Sequence, residues 1–121
     1  MLEFQAPFEW AQSLEHVYIR VFLSHRANDH RCPDAFDESV NIYNSFLNIS
    51  RSCRFGEDPF KYYLKLTFYE KIVVSESSYK KRDDGSVIIR LKKKAVPTKW
   101  PILLKDKEKP FSMKLWEARH L

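Results

Sequence analysis

The sequence predicts an all-β protein, an antiparallel sandwich of about seven short strands. Three observations carry this. Apolar and polar residues alternate in several separate runs. Turn-forming residues divide those runs at roughly regular intervals. No stretch before Ser112 shows the spacing of a helix face.

The elements follow in order. Phe8-Glu9-Trp10-Ala11 reads as a short first strand. From Val17 to Ser24 the odd positions Val17, Ile19, Val21 and Leu23 share one face, the pattern of a half-buried strand. His25 to Glu38 is polar, contains Pro33 and several acids, and reads as a loop. Val40 to Tyr43 and Phe46 to Ser52 read as two short strands joined at Asn44-Ser45. Gly56 and Asp58-Pro59 supply turn chemistry.

The clearest strand is Phe60 to Tyr69. Phe60, Tyr62, Leu64, Leu66 and Phe68 point one way; Lys61, Tyr63, Lys65, Thr67 and Tyr69 point the other. Ser78 to Arg82 and Ser86 to Lys93 flank Asp83-Asp84-Gly85, a hairpin signal. Pro97 and Pro101 then end regular pairing, because proline has no ladder donor. Ser112 to His120 has room for one or two helical turns. The expected core is Trp10, Val17, Ile19, Val21, Leu64, Leu66, Val87, Ile89 and Leu91.

At 121 residues the chain forms one domain, 1–121, with a short C-terminal extension from about residue 100. Apolar residues make up 44% and aromatics 15%, enough for a core and too much for disorder. Gly56 and Gly85 are the only glycines, so no glycine-rich phosphate loop can form. Cys32 and Cys53, with no secretory signal at the N-terminus, read as free thiols in a reducing compartment. No apolar run is long enough to span a membrane, so a soluble cytoplasmic chain is expected.

Charge is unevenly spread. Residues 1–60 hold 5 arginines, no lysine and 9 acids; residues 61–121 hold 16 basic and 7 acidic residues. The balance moves from −4 to +9, and a basic second half favours an acidic partner. The densest part runs from Leu91-Lys92-Lys93-Lys94 to Trp100-Pro101-Ile102-Leu103-Leu104 and then Lys105, Lys107 and Lys109. A large aromatic among cations has a place to pack, and the lysines around it present charge from a fixed surface. This has the look of a docking edge. Trp100 is either a partner contact or a plug over the open end of the sandwich, and different ring edges can do both. The lysines either meet an acidic face or keep a strand edge solvated.

Three blocks resemble the CS domain, the sandwich of the small co-chaperone of heat-shock protein 90 and its relatives. The first is Phe8-Glu9-Trp10-Ala11-Gln12 with Val17 to Val21. It is similar to the opening of the CS domain that precedes the membrane part of some very-long-chain 3-hydroxyacyl-CoA dehydratase-like proteins. The second runs from Leu64 through Phe68, Ile72, Ser77 and Tyr79 to Val87–Lys93. The third is Trp100-Pro101, Leu103, Lys105, Lys107 and Lys109, like the co-chaperone's signature after its last strand.

The resemblance implies a non-enzymatic, monomeric binding module that docks on heat-shock protein 90 or a related chaperone complex. Docking would use the last strand and the Trp100 segment. Lys93, Lys94, Lys105 and Lys107 would steer, and Trp100, Pro101 and Leu103 would make apolar contacts. No cofactor, no metal, no small-molecule substrate and no membrane insertion are expected. The alternative the resemblance implies is a soluble N-terminal adaptor of a membrane-bound dehydratase-like protein, on the cytosolic face of the endoplasmic reticulum. The co-chaperone's reported synthase activity needs a tyrosine where this chain has Ala11, so it does not carry over. His25 to Glu38 looks longer than the corresponding loop of the family, and with no acidic tail among these 121 residues an independent holdase function is not expected of them.

Other sites find less support in the residues. His25, Asp29, His30, Cys32 and Asp34 match no zinc spacing. Asp37-Glu38 and Asp83-Asp84 have no histidine or nucleophile beside them for acid–base work. Asn48-Ile49-Ser50 fits a glycosylation pattern but falls inside an expected strand. Lysines and aromatics alternate along Phe60 to Tyr69, a weak third reading as a nucleic-acid binder, yet no platform motif for single strands appears.

Overall fold

A computed structural model of the protein describes residues 2–23, 32, 35–104 and 113–115. The described residues form strands and turns: β1 (Leu2–Gln5), β2 (Phe8–Gln12), β3 (His16–Phe22), β4 (Phe36–Ile42), β5 (Phe46–Phe55), β6 (Asp58–Thr67), β7 (Ile72–Lys81), β8 (Ser86–Lys93) and β9 (Met113–Leu115). They make two sheets, one in the order β1-β6-β5-β4 and one in the order β7-β8-β3-β2-β9. The expected all-β sandwich is the observed architecture.

The period-two runs place the core between the sheets. Val17, Ile19, Val21 and Leu23 of β3 and its end are buried, as are Tyr62, Leu64, Leu66 and Phe68 of β6 and its end. Val87, Ile89 and Leu91 of β8 face them, joined by Phe8 and Trp10 of β2 and by Leu47, Ile49 and Cys53 of β5. All nine expected core residues are buried. Burial of this apolar surface is the main force holding the sheets face to face.

Local chemistry fixes the turns. At Asp83-Asp84-Gly85, Gly85 adopts φ +86°, a region that a side chain disfavours. Asp84 Oδ1 accepts from both the Ser86 amide (2.9 Å) and the Ser86 hydroxyl (2.6 Å), closing the hairpin. These bonds come first among the causes that hold the Asp84 carboxyl down at about 2, with the Arg20 guanidinium adding to them. Across the open side of the sandwich Arg51 reaches from β5. Its guanidinium donates to Glu38 Oε1 at 2.9 Å and to the Gly85 carbonyl at 3.1 Å, tying β4 to the β7–β8 turn.

Several expectations change. Pairing is not wholly antiparallel, since β1 runs parallel to β6 (Leu2↔Phe60) and β9 parallel to β2 (Phe8↔Met113). The chain crosses from one sheet to the other at Ala6-Pro7 without reversing. The Ala6 amide donates to the Tyr63 carbonyl at 2.7 Å, and the Pro7 carbonyl accepts from the Phe22 amide at 2.9 Å. Met113–Leu115 is strand and not helix, because the outer edge of β2 offers it a ladder; the rest of residues 112–120 lies outside the described part.

The stretch read as a loop to Glu38 also ends early. Phe36, Asp37 and Glu38 open β4, with Asp37 at φ 48° where the β4–β5 register shifts. The Arg54 guanidinium lies 4.8 Å from the centre of the Phe36 ring. Cys32 and Cys53 are not free thiols: they form a disulfide, their Cα atoms 5.2 Å apart, so they no longer argue for a reducing compartment. That excludes Cys32 from metal binding, and His25, Asp29, His30 and Asp34 lie outside the described residues. β8 lies between β7 and β3, so it offers a face, not an edge.

Candidate partner-binding surface

The segment after β8 is held by two side chains whose position follows from strand phase. Val87, Ile89 and Leu91 point inward, and two residues further on so does Lys93. On β2 the same phase carries Phe8, Trp10 and then Gln12. Lys93 is 1% exposed. Its Nζ donates to Gln12 Oε1 at 2.8 Å, to the Ser13 carbonyl at 2.7 Å and to the Thr98 carbonyl at 2.7 Å. Burial lowers its pKa below the ordinary lysine value. Three neutral oxygens hold the ammonium, and the Trp100 ring lies 5.8 Å away.

Gln12 completes the clamp. Its Oε1 also accepts from the Trp100 amide at 2.9 Å, and its Nε2 donates to the Trp100 carbonyl at 2.8 Å. The Trp100 ring is buried against Phe68 and Tyr69, with ring centres 6.5 and 6.2 Å away. The Leu103 carbonyl accepts from the Tyr69 amide at 2.8 Å, and Leu104 bridges Phe68. The Thr98 amide donates to the Leu14 carbonyl at 3.1 Å, and the Lys94 amide to the Lys71 carbonyl at 3.2 Å. Residues 94–104 are thereby fastened across one end of the sandwich, over the β2–β3 and β6–β7 turns.

The expected site residues divide into two groups. Lys93, Trp100 and Leu103 are buried and fasten the segment. Lys94 and Pro101 are exposed, with Lys99 between them. Lys105 and Lys107 lie outside the described residues. Around the exposed group stand apolar residues that composition did not flag: Leu14 is 57% exposed, Val96 43% and Tyr69 38%. Glu70, Lys71, Lys94 and Ala95 line a shallow open depression of about 400 Å³. The surface is therefore mixed, with lysines set among exposed apolar side chains. Such a surface suits a protein partner, since apolar area supplies contact and charge supplies orientation.

The sequence profile of the CS domain matches residues 6–93. The chain belongs to the CS-domain family. CS domains are typically non-enzymatic binding modules, and this chain is a protein-interaction module of that chaperone-related kind. Among solved structures, the chain is similar to heat shock protein 16.0 from Schizosaccharomyces pombe at 18% identity and a TM-score of 0.57. That likeness covers 84% of this chain and 76% of the other, and it shows the shared fold. No curated protein sequence matches the chain. Among the described residues of this CS domain, no helix is long and apolar enough to cross a membrane. The profile stops at Lys93, so the Trp100 segment lies beyond the matched region.

Proposed function

We propose that this CS domain docks, as a cytoplasmic monomer, on heat-shock protein 90 or a related chaperone complex through the end of the sandwich that carries the Trp100 segment. The clamp made by Lys93 and Gln12 supports this reading. It spends a buried cation and an amide on fixing a segment that adds no strand to either sheet. In this reading Lys94 and Pro101 touch the partner, and Lys105 and Lys107 extend the charge. Lys93, Trp100 and Leu103 take part by holding that surface rigid, which lowers the ordering cost of binding.

The test is an amide-NMR titration of the labelled domain with heat-shock protein 90, with and without a non-hydrolysable ATP analogue. Shifts confined to residues 92–109 and to the 69–71 turn, stronger with nucleotide, are expected. No shift in either condition overturns the reading. Association should also weaken as salt rises, because exposed lysines steer it.

A second reading makes the chain a soluble adaptor of a membrane-bound dehydratase-like protein. The opening block Phe8-Glu9-Trp10-Ala11-Gln12 favours it, and Gln12 is the residue that anchors the Trp100 segment. Expression of the complete natural protein followed by membrane fractionation would separate the readings. Recovery in the soluble fraction would remove the second.

A further inference from the structure

The outward face of the β3–β8 pair holds a second cluster of cations. Tyr18 is opposite Arg90, and His16 is opposite Lys92. Arg90 and Lys92 are two residues apart on one strand and so project from the same face. The Arg90 Nη2 lies 3.2 Å from His16 Nε2, donating to the neutral ring. Burial, then Arg90 and Lys92, lower the His16 pKa below its ordinary value.

The same face shows how an arginine with a structural role is treated. Arg20, two positions along β3 from Tyr18, has Asp84 Oδ2 at 2.8 Å and Glu9 Oε1 at 3.7 Å. Arg51 has Glu38 at 2.9 Å. Among the described residues Arg90 and Lys92 make no ion pair with a carboxylate. Arg90 instead donates to an imidazole, on the same sheet face as a second cation. Like charges held together on a sheet face repel and cost stability. A guanidinium 3.2 Å from an imidazole, with Lys92 opposite that histidine in the strand register, offers donors and charge that match the oxygens of a phosphate group.

We propose that His16, Arg90 and Lys92 form a binding site for a phosphorylated side chain of a protein partner. The inference rests on the chain being a protein-interaction module, but not on heat-shock protein 90 being the partner. The surroundings select a compact anion. Glu15 and Glu76 both act on His16, so carboxylates border the cluster. They disfavour an extended polyanion such as a nucleic acid or an anionic membrane relative to a single phosphate. The Tyr18 ring, with its centre 6.1 Å from that of His16, gives the peptide an apolar neighbour.

The experiment follows the His16 ring resonances of the labelled domain by NMR. The probes are a short glycine–serine peptide with one phosphoserine, its unphosphorylated counterpart, inorganic phosphate, and vesicles of phosphatidylserine. The phosphopeptide should shift the His16 signals saturably and raise the ring's pKa, because the bound dianion offsets Arg90 and Lys92. The unphosphorylated peptide should leave them in place. Arg90→Gln should weaken phosphopeptide binding by roughly ten-fold or more, the usual worth of a charge-assisted pair. Arg90→Lys keeps the charge without the fork and should fall between. Dispersed spectra would show that both variants fold. Equal responses to the two peptides, a response to inorganic phosphate alone, or Arg90-dependent binding to vesicles without binding to the phosphopeptide would each overturn the proposal. Because no chaperone is present, failure here is distinct from failure of the heat-shock protein 90 titration.

Discussion

Gln12→Ala tests whether the Trp100 segment is clamped or merely lies against the sandwich. The change deletes three hydrogen bonds: from Lys93 Nζ at 2.8 Å, from the Trp100 amide at 2.9 Å, and to the Trp100 carbonyl at 2.8 Å. Two are neutral, each worth about 1 kcal/mol net, and the one to the ammonium is worth about 1.5–3 kcal/mol. The sum, about 3.5–5 kcal/mol, is a ceiling, since Gln12 is only half-buried and water can replace part of what is lost. Lys93 also keeps the Ser13 and Thr98 carbonyls. A destabilisation of about 2–4 kcal/mol is expected in urea denaturation. A second measurement locates the effect. Amide exchange should speed up at Trp100 and at Tyr69, whose amide donates to Leu103, more than at Ile19 or Ile89 in the core. A loss below about 1 kcal/mol with unchanged protection at Trp100 would refute the clamp.

Three further outcomes are expected. Leu66→Ala, at a side chain 1% exposed, should destabilise by about 2–5 kcal/mol in the same denaturation assay; a loss under half a unit would mean that the inward face of β6 is misassigned. Asp84 is held at about 2, below its ordinary 3.8, so its contribution is present above 3.8 and is lost as pH falls through about 2. The stability gap between wild type and Asp84→Asn should therefore be constant near neutrality and close across that acid window; since the side chain is 48% exposed, the gap should be small, and one that persists below pH 2 would contradict the assignment. Reducing the Cys32–Cys53 bond opens a link between residues 21 apart and should cost about 3 kcal/mol, read as a lower denaturation midpoint with reductant; an unchanged midpoint would mean that the bond carries no stability.

Alternation made the inward faces of β3, β6 and β8 legible, because one buried face and one wet face leave a period-two record in the sequence. The Asp83-Asp84-Gly85 turn was legible for a similar reason: the chemistry lies within a few residues. The pairings of β1 and β9 were not, since each depends on a partner dozens of residues away that no local pattern names. The disulfide escaped for the same reason, as spacing alone does not bring Cys32 beside β5. Lys93 was misleading in a different way. Within Lys92-Lys93-Lys94 it looks like one of three solvated charges. Extending the phase of Val87, Ile89 and Leu91 by two residues would have placed it inside, and extending Phe8 and Trp10 by two would have found Gln12.

That phase argument also decides what the three lysines can do. Successive residues of a strand face opposite ways, so Lys92 joins the outward cluster with His16 and Arg90 while Lys93 turns inward to the clamp. Lys94 follows the last paired residue and is exposed at the end of the sandwich. One run of like charge thus serves three different surfaces. If both proposals hold, replacing all three at once lowers stability, anion binding and chaperone docking together and cannot tell them apart. The burial of Trp100 fits the same division. A tryptophan that is 1% exposed cannot be a direct contact unless the segment lifts, and lifting it would leave the Lys93 ammonium without the Thr98 carbonyl. In the proposed docking, Trp100 therefore stays down, and Lys94, Pro101 and their exposed apolar neighbours meet the partner.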